Sequence, residues 1–362
     1  MEKAENPVRI LVYGMTDNRG GIEAYLINML RAMNRDEIIF DFIVDWDTMA
    51  YADEAQGLGS KIYFIPAKGK SPVGHLTAFF KILKAHPEYK TVYFNILNAG
   101  GAYSMLAPKA LKRRIAVHSH NGSADNMKLH KMFFGMLNRF ADVKLACSAL
   151  AAEYMFDNPK EVTVINNAVQ TDDFTFNAEL REQKRQELKL GESFTVLHAG
   201  RMTNQKNPMF LLEIFSQLVK IKPDSILLYA GAGVDSMEQE IRQKAEELGI
   251  AGKIRFLGMR NDVNELMQAA DVFLLPSKYE GLPITGVEAQ AADLPCFFSD
   301  RISPAVAITS KACLLSIDLS AEEWARQIAA IQPEKRVSRV AELEAAGYSL
   351  EAQAQKLTEM LI

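Results

Sequence analysis

Two glutamates on either side of a glycine- and proline-containing turn have the types and spacing that most directly indicate chemistry. Glu280 and Glu288 have seven residues between them, and the run Gly281–Ile284 separates a predicted strand from a predicted helix. The free amides of a helix N-terminus attract phosphate, and a carboxylate accepts hydrogen bonds from sugar hydroxyls. The helix amides and the carboxylates together suit a ligand that contains both phosphate and sugar. Each carboxylate alone could equally be a helix cap or an exposed helix residue.

Two cations five positions apart follow another predicted strand. Arg201 and Lys206 come after Gly200 and before Pro208, and proline is favoured in the first turn of a helix. An arginine fork and a lysine point charge that converge at a strand end would bind a diphosphate. Taken alone, the two residues are more typical of a solvated surface pair.

Two adjacent glycines, Gly20 and Gly21, precede the first predicted helix. Glycine lets the backbone approach a ligand closely, and the helix N-terminus that follows presents free N–H groups to an anion. The loop does not match the G-x-G-x-x-G pattern of a dinucleotide site. A flexible turn with a helix cap is the alternative interpretation.

Two histidines, His118 and His120, end a predicted strand, and their side chains should point to the same side because strand side chains alternate. The spacing suits a metal pair, but no third ligand accompanies it. The run Asp45-Trp46-Asp47 is a D-x-D pattern, which arises easily by chance. We predict neither a metal site nor a cofactor.

The elements that must position these residues are short apolar runs alternating with longer amphipathic segments, which is typical of parallel sheets covered by helices. We predict an α/β fold of two doubly wound domains whose ligands bind at the carboxyl ends of the strands. The predicted strands are Arg9–Tyr13, Ile39–Val44, Lys61–Ile65, Thr91–Phe94, Ile115–His118, Val143–Ala146, Val162–Ile165, Thr195–His198, Ser225–Tyr229, Ile254–Phe256, Val272–Leu275, Cys296–Ser299 and Ala312–Leu315.

Domain boundaries follow from the weaker periodicity of the polar stretch Asn166–Lys189. We predict an N-terminal domain over residues 1–170, a C-terminal domain over residues 171–345, and an amphipathic helix over residues 346–362 that could pack back on the N-terminal domain.

Composition excludes several classes of function. The chain has 362 residues, a formal net charge of -4 and 24% charged residues, so no global electrostatic property favours nucleic acid as a partner. Its three cysteines are scattered, as expected of reduced residues in the cytoplasm. Without a signal-peptide core or a long apolar stretch, the chain is expected to stay inside the cell.

Five motifs, in their order and spacing, resemble the family 4 retaining glycosyltransferases, most closely those of bacterial exopolysaccharide and capsule synthesis. The resemblance spans nearly the whole chain. The motifs are Gly20-Gly21-Ile22-Glu23, Gly200-Arg201 to Lys206-Asn207, Phe256-Leu257-Gly258 to Asp262, Ala270-Asp271-Val272, and Glu280 with Glu288. The family implies the GT-B fold, in which two Rossmann-like domains face one another across a cleft and the second binds most of a nucleotide sugar.

The resemblance also implies roles for individual residues. Arg201 and Lys206 would bind the diphosphate, Glu280 the hydroxyls of the donor sugar and Glu288 the ribose. His118 matches the family histidine near the reacting centre better than His120 does. His120 and Asn121 are then candidates for acceptor or sugar contact. The other residues implied for donor binding are Gly20, Gly21, Gly258, Arg260, Gly281, Leu282, Pro283 and Ile284, with the base held by the loop Gly258–Arg260.

The implied reaction is transfer of a sugar from a nucleotide donor, a UDP-sugar above all, to a saccharide or polyprenyl-diphosphate-linked acceptor without a metal. Two departures from the family pattern concern the hinge: Asn167-Ala168-Val169 replaces a usual Asn-Gly, and Asp293 replaces a usual Gly. Two other functions stay open, a UDP-N-acetylglucosamine 2-epimerase and a noncatalytic sugar-nucleotide-binding scaffold.

A basic segment over residues 105–145 suggests a membrane partner. It holds eight Lys and Arg against Asp125 and Asp142, beside an apolar cluster from Met132 to Leu137. Such a segment could lie on anionic lipid at the inner face of the cell membrane and receive a lipid-linked acceptor. A solvated helix with an ordinary core face is the alternative.

Overall fold

The computed structural model describes residues 7–123, 127–332 and 334–362, and the chain divides into two compact units. The first unit ends at Ala168 and also includes Gly347–Ile362, whereas the second unit is Val169–Ala346. Each unit is built around one parallel sheet with its own buried core.

The sheet of the first unit has seven strands among the described residues, in the order β3-β2-β1-β4-β5-β6-β7, and all its strand pairings are parallel. The order reverses between β1 and β4. Its strands are β1 (Val8–Tyr13), β2 (Ile38–Val44), β3 (Ile62–Phe64), β4 (Thr91–Ile96), β5 (Arg114–Ser119), β6 (Val143–Ala146) and β7 (Thr163–Val164).

The sheet of the second unit has six strands in the described part of the chain, in the order β10-β9-β8-β11-β12-β13, again with parallel pairings. Here the order reverses between β8 and β11. Its strands are β8 (Thr195–Ala199), β9 (Ile226–Ala230), β10 (Ile254–Gly258), β11 (Val272–Leu275), β12 (Cys296–Ser299) and β13 (Ala312–Leu315).

Crossover segments connect successive strands, as parallel pairing requires, and most of them contain an α-helix. In the first unit they are α1 (Gly21–Ala32), α2 (Ala52–Gly57), α3 (Pro72–Ala85), α4 (Leu106–Ala110), α5 (Met127–Phe140) and α6 (Ala149–Met155). In the second unit they are α7 (Ala178–Glu187), α8 (Pro208–Ile221), α9 (Asp235–Glu247), α10 (Val263–Ala269), α11 (Ile284–Ala291), α12 (Ala321–Ala329) and α13 (Val340–Ala345).

The last helix, α14 (Leu350–Leu361), belongs to the first unit. The carbonyl of Leu361 accepts hydrogen bonds from Thr91 Oγ1 and from Arg114 Nη1, both at 3.2 Å. The amide of Asn166 donates to Gln353 Oε1 at 3.0 Å. These bonds attach the helix to the amino ends of β4 and β5 and to the residues after β7.

The predicted α/β class with two doubly wound Rossmann-like sheets is confirmed, and each predicted strand overlaps an observed one. The largest difference concerns the polar stretch Asn166–Lys189, which contains the ten-residue helix α7. The hydrophobic periodicity does not predict this helix, because α7 has a charged surface and no apolar stripe. Its arginines attach it to the rest of the second unit. Arg185 Nη1, for example, donates to the carbonyl of Ala269 at 2.9 Å.

Candidate active site

The loops after β8 and β11 meet at the reversal of strand order in the second sheet, the position where open α/β sheets bind ligands. The loop after β8 carries Lys206, and the loop after β11 carries Glu280. Lys206 Nζ lies 2.5 Å from Glu280 Oε1, and both side chains are largely buried. The sequence analysis had assigned both residues to one site, and the structure brings them together.

Three donors hold the Glu280 carboxylate. Besides Lys206, Ser277 Oγ donates to Oε1 at 3.0 Å and Gln205 Nε2 donates to Oε2 at 3.1 Å. The backbone amide of Lys278 donates to the carbonyl of Gln205 at 2.8 Å, which joins the two loops directly. Sequence reasoning missed Ser277 and Gln205, although each lies within three positions of a predicted site residue.

Glycines allow the close packing of these loops. A Cβ on Gly200 would lie 3.2 Å from Cε of Lys206, so the lysine stem crosses the backbone at this glycine. Gly231 has φ +146°, and a Cβ there would lie 1.9 Å from the carbonyl oxygen of Gly200. The Gly231-Ala232-Gly233 run therefore packs directly against the backbone of the loop after β8.

Two further charged residues of this region have no protein partner among the described residues. The guanidinium of Arg201 is exposed and makes no hydrogen bond or ion pair there. Glu288 on α11 is half-buried, makes no side-chain hydrogen bond or ion pair in the described chain, and burial raises its pKa to about 7. Groups of this kind, one cationic and one acidic, are available to a ligand.

The run from Gly281 to Ile284 leads directly into α11, whose N-cap is Pro283. All four of its residues, Gly281, Leu282, Pro283 and Ile284, are buried. The first amides of α11 and the positive end of its dipole lie beside the loop that carries Glu280. The helix N-terminus therefore offers free amides to a phosphate beside Glu280, as its sequence predicts.

The Gly258–Arg260 loop is positioned by a bulge and an ion pair. Gly258 has φ +64°, and its carbonyl accepts the amide of Gly231 at 2.8 Å. Both ends of the Arg260 guanidinium bind Asp262, with Nε at 2.7 Å from Oδ1. Lys184 Nζ lies 3.0 Å from Asp262 Oδ2, and these cations lower the Asp262 pKa to about 2. Arg260 is thus anchored to its own loop, which leaves the backbone for ligand contact.

In the first unit, Gly20 is the N-cap of α1 and donates its amide to Glu23 Oε2 at 3.1 Å. A Cβ on Gly20 would lie 2.7 Å from that same oxygen, whereas a Cβ on Gly21 would meet nothing within 4 Å. A side chain at position 20 would have to displace the Glu23 carboxylate from this bond. The space over Gly21 is open.

The predicted orientation of the two histidines is confirmed, because the rings of His118 and His120 lie 4.1 Å apart between centroids. Tyr93 Oη lies 2.5 Å from Nδ1 of His118, and Asn95 Oδ1 lies 2.8 Å from Nε2 of His120. His118 has 0% and His120 8% of its surface exposed, and burial lowers the pKa of both rings. In this structure His120 is the histidine with accessible surface, and Asn121 beside it is buried.

The basic segment over residues 105–145 is only partly the surface that its composition suggested. Asp125 lies outside the described residues. Met132 is 74% exposed, but Leu137 is buried and Phe133 and Met136 pack against the core of the first unit. On α5, the exposed face carries Lys128, Lys131 and Arg139 around Met132.

No group of three His, Cys, Asp or Glu suited to a metal occurs in the described ranges. Asp45, from the D-x-D pattern, accepts a hydrogen bond from Tyr13 Oη at 2.8 Å. Among the residues described, no helix is long and apolar enough to span a bilayer.

Two family models match most of the chain. Glycosyltransferase Family 4 matches residues 19–173, and Glycosyl transferases group 1 matches residues 180–344. The chain is 28% identical to "Putative glycosyltransferase EpsF" of Bacillus subtilis over 354 residues, which cover 92% of this chain and 91% of that protein.

A second relative and a solved structure extend the comparison. The UDP-Gal:alpha-D-GlcNAc-diphosphoundecaprenol alpha-1,3-galactosyltransferase of Escherichia coli is 27% identical over 239 residues, covering 62% of this chain and 61% of that protein. The crystal structure of Anabaena HepE in complex with UDP and glucose has a TM-score of 0.75 at 18% identity, covering 98% of this chain and 95% of that one. At this identity the likeness concerns the fold alone.

Proposed function

The chain belongs to the glycosyltransferases of the GT-B fold, and we propose that it transfers a sugar from a UDP-sugar to an acceptor hydroxyl with retention at the anomeric carbon. The observation that carries this proposal is the contact of Lys206 with Glu280 at the strand reversal of the second sheet. The loop after β8 also carries Arg201, and the loop of Glu280 leads into α11, which carries Glu288. A cation pair, two carboxylates and free amides together suit a diphosphate joined to two sugars.

Each group has a role that its surroundings support. Arg201, which is exposed and unpaired in the described chain, binds the diphosphate together with Lys206 and the α11 amides. Glu280 accepts hydrogen bonds from the donor sugar, because three donors fix its carboxylate. Glu288 accepts hydrogen bonds from the ribose. The backbone of Gly258–Arg260 borders the base.

The reaction breaks the bond between the anomeric carbon and the terminal phosphate oxygen of the donor. The acceptor oxygen bonds to the same face of that carbon, and its proton passes to the departing phosphate. Negative charge grows on the diphosphate as the bond breaks, so preorganised cations and amides stabilise the transition state. Arg201 and Lys206 supply the positive charge that stabilises the departing diphosphate, so we expect activity without a divalent metal.

In the first unit, we assign Gly20, Gly21 and His120 to contacts with the reacting groups. The space over Gly21 admits a ligand close to the N-terminus of α1, and His120 is the histidine of the pair that keeps some accessible surface. His118, which has no exposed surface, packs against His120 with the two rings tilted by 32°. Asn121 is the adjacent candidate for acceptor contact.

The acceptor is a saccharide or a polyprenyl-diphosphate-linked saccharide of exopolysaccharide or capsule synthesis. The Escherichia coli relative, whose name gives a diphosphoundecaprenol-linked sugar as its acceptor, supports this part of the proposal. The exposed cations of α5 around Met132 suit anionic lipid at the inner face of the cell membrane. Vesicles with and without phosphatidylglycerol test it: Lys128→Glu with Lys131→Glu should abolish sedimentation with anionic vesicles, whereas Lys222→Glu in the second unit should not.

Thermal unfolding with UDP, GDP, CMP and a panel of their sugars, with EDTA present, tests the donor site. A ligand at 100 times its Kd stabilises the fold by about 2.7 kcal/mol. We expect UDP or a UDP-sugar to raise the Tm of the wild type and to raise it less in Arg201→Ala and Glu288→Gln. Arg255→Ala and Glu246→Gln, two exposed positions of the same unit, are the matched controls.

Two outcomes of this experiment would contradict the proposal, and assays of sugar conversion and UDP release separate the alternative functions. Equal ligand-induced shifts in wild type and site variants would exclude the proposed site, and the absence of any nucleotide effect would overturn the donor proposal. A 2-epimerase would convert the sugar of UDP-N-acetylglucosamine with no acceptor present. A scaffold would bind the donor but would release no UDP with any acceptor.

A further inference from the structure

Three adjacent strands of the first sheet end in a polar cluster that the donor site does not use. Tyr13 ends β1, Asp45 follows β2 and Lys68 follows β3. Tyr13 Oη donates to Asp45 Oδ2 at 2.8 Å, and Lys68 Nζ donates to Tyr13 Oη at 3.1 Å. The phenol hydroxyl thus joins a carboxylate and an ammonium that do not contact each other directly.

A buried histidine makes the base of this cluster rigid. His75 on α3 is fully buried, with Nδ1 2.9 Å from the carbonyl of Pro66 and Nε2 2.8 Å from Ser104 Oγ. Because a carbonyl only accepts, Nδ1 carries the proton and Nε2 accepts from the serine. The bond from His75 Nδ1 to the carbonyl of Pro66 fixes the loop that carries Lys68, two residues beyond Pro66.

The neighbouring loops are fixed as well. The amide of Ala50, in the loop after β2, donates to the carbonyl of Thr16, in the loop after β1, at 2.8 Å. The guanidinium of Arg19 lies 4.8 Å from the ring centroid of Tyr51. The cluster therefore sits on a preorganised surface, as a binding site requires.

An exposed indole directly follows the carboxylate of the cluster in the chain. Trp46 directly follows Asp45 and is 45% exposed, and Asp47 beside it is also exposed. Exposed tryptophans with an apolar face and nearby polar groups are typical of recognition surfaces. The flat face of an indole matches the C–H face of a sugar ring, while carboxylates and ammonium groups bind its hydroxyls.

The charges of the cluster argue against two other ligand classes. A metal ion at Asp45 would lie beside the ammonium of Lys68, which contacts the same phenol. A phosphate at Lys68 would meet the negative charges of Asp45 and Asp47. A neutral ring of hydroxyl groups satisfies both signs, because each hydroxyl donates to a carboxylate and accepts from an ammonium.

We propose that Trp46, Asp45 and Lys68 bind a sugar ring of the acceptor, stacked on the indole and hydrogen-bonded to the carboxylate and the ammonium. This inference rests on the proposed transferase function and assigns the residues that recognise its second substrate. It predicts that the acceptor is recognised by a saccharide unit, and that this recognition involves the loops after β2 and β3.

Fluorine NMR of the full chain labelled with 5-fluorotryptophan tests the proposal. The chain has two tryptophans, and Trp324 in the second unit is fully buried, so it serves as the internal reference. The probes are the methyl glycosides of glucose, galactose, N-acetylglucosamine and N-acetylgalactosamine, with inorganic pyrophosphate as the charged alternative. Trp46→Phe assigns the two resonances.

We expect at least one glycoside to shift the Trp46 resonance to saturation without moving that of Trp324. Asp45→Asn and Lys68→Ala should each weaken this binding by about ten-fold or more, the loss expected for one hydrogen bond to a charged group. Lys70→Ala, an exposed lysine of the same loop, is the matched control. An unchanged Tm of each free variant shows that it is folded, and the Trp324 resonance reports on the second unit alone.

Three results would overturn the proposal: no shift of Trp46 with any glycoside, equal affinity in the Asp45 and Lys68 variants, or a shift with pyrophosphate alone. Its failure is distinct from failure of the donor site. Asp45→Asn and Lys68→Ala should keep the full UDP-induced rise in Tm. If UDP does not raise the Tm of the wild type, the proposed donor is wrong, but the Trp46 resonance still tests the acceptor site.

Discussion

The ammonium of Lys206 lies 2.5 Å from the carboxylate of Glu280, which joins the loops after β8 and β11 through one ion pair. A diphosphate that binds Lys206 must therefore share the ammonium with Glu280. The carboxylate keeps its position when this happens, because Ser277 and Gln205 also donate to it.

Lys206→Ala should lower the rate of sugar transfer by about 100- to 1,000-fold, since removing one preorganised donor from a developing negative charge costs about 2.7–4 kcal/mol. UDP released per unit time, measured with saturating acceptor, is the readout. Lys278→Ala removes a neighbouring lysine whose Nζ donates to Asn204 and should leave the rate unchanged. Wild-type turnover in Lys206→Ala would exclude the assigned role.

Glu288 predicts opposite pH effects on stability and on donor binding. Burial raises its pKa from 4.5 to about 7, so the folded state holds this proton more tightly than the unfolded state between these values. The stability contributed by the neutral carboxyl is present below pH 4.5 and is lost as the pH rises through 7. Glu288→Gln should therefore raise the Tm of the free protein at pH 8 but not at pH 4.

Donor affinity should change in the other direction, because the ionised carboxylate is the better acceptor for ribose hydroxyls. UDP should bind the wild type more weakly as the pH falls from 8 to 6, and Glu288→Gln should flatten this dependence. Calorimetric titrations with UDP at several pH values measure it. An identical pH profile in the variant would remove Glu288 from the site.

Gly231→Ala should destabilise the second unit by about 2–4 kcal/mol. Its φ of +146° is unfavourable for an L side chain, and the added Cβ would lie 1.9 Å from the carbonyl oxygen of Gly200. Urea unfolding gives the free energy difference, and UDP affinity should fall because Gly200 borders Lys206. Gly252→Ala is the control, since a Cβ there meets nothing within 4 Å.

Asp293 explains one departure from the family pattern. Its φ is +54°, and its carboxylate accepts Lys311 Nζ at 2.9 Å, Arg339 Nε at 2.7 Å and the amide of Val337 at 2.8 Å. Burial alone would raise the pKa of this carboxyl, but the Arg339 and Lys311 cations hold it below its ordinary value.

Both Asp293→Gly and Asp293→Ala should reduce the free energy of unfolding, and alanine should be worse by about 1–2 kcal/mol because it must adopt the left-handed conformation. Chemical unfolding at pH 7 measures the order. The contribution of the ion pairs should disappear as the pH falls below 3.8 through the lower pKa of the folded state. Equal stability of the two variants would contradict the backbone argument.

The sequence by itself determined the strands, the fold class and the loops that carry the chemistry. Parallel strands buried on both faces appear as contiguous apolar runs, and β11 and β12 occupy their predicted ranges for that reason. The residues after each run then fall at one edge of a sheet, so Arg201, Lys206 and Glu280 could be assigned to one site without any contact being known.

Only the tertiary structure decided which of these side chains a ligand can reach, because burial depends on segments that are distant in the chain. His118 and His120 have the same pattern in sequence, but Tyr93 and the surrounding core leave only His120 with accessible surface. The sequence does not show that the Arg260 guanidinium is bound by Asp262, a contact that the structure reveals. The cluster at Tyr13 joins residues 32 and 55 positions away, so no local pattern could reveal it.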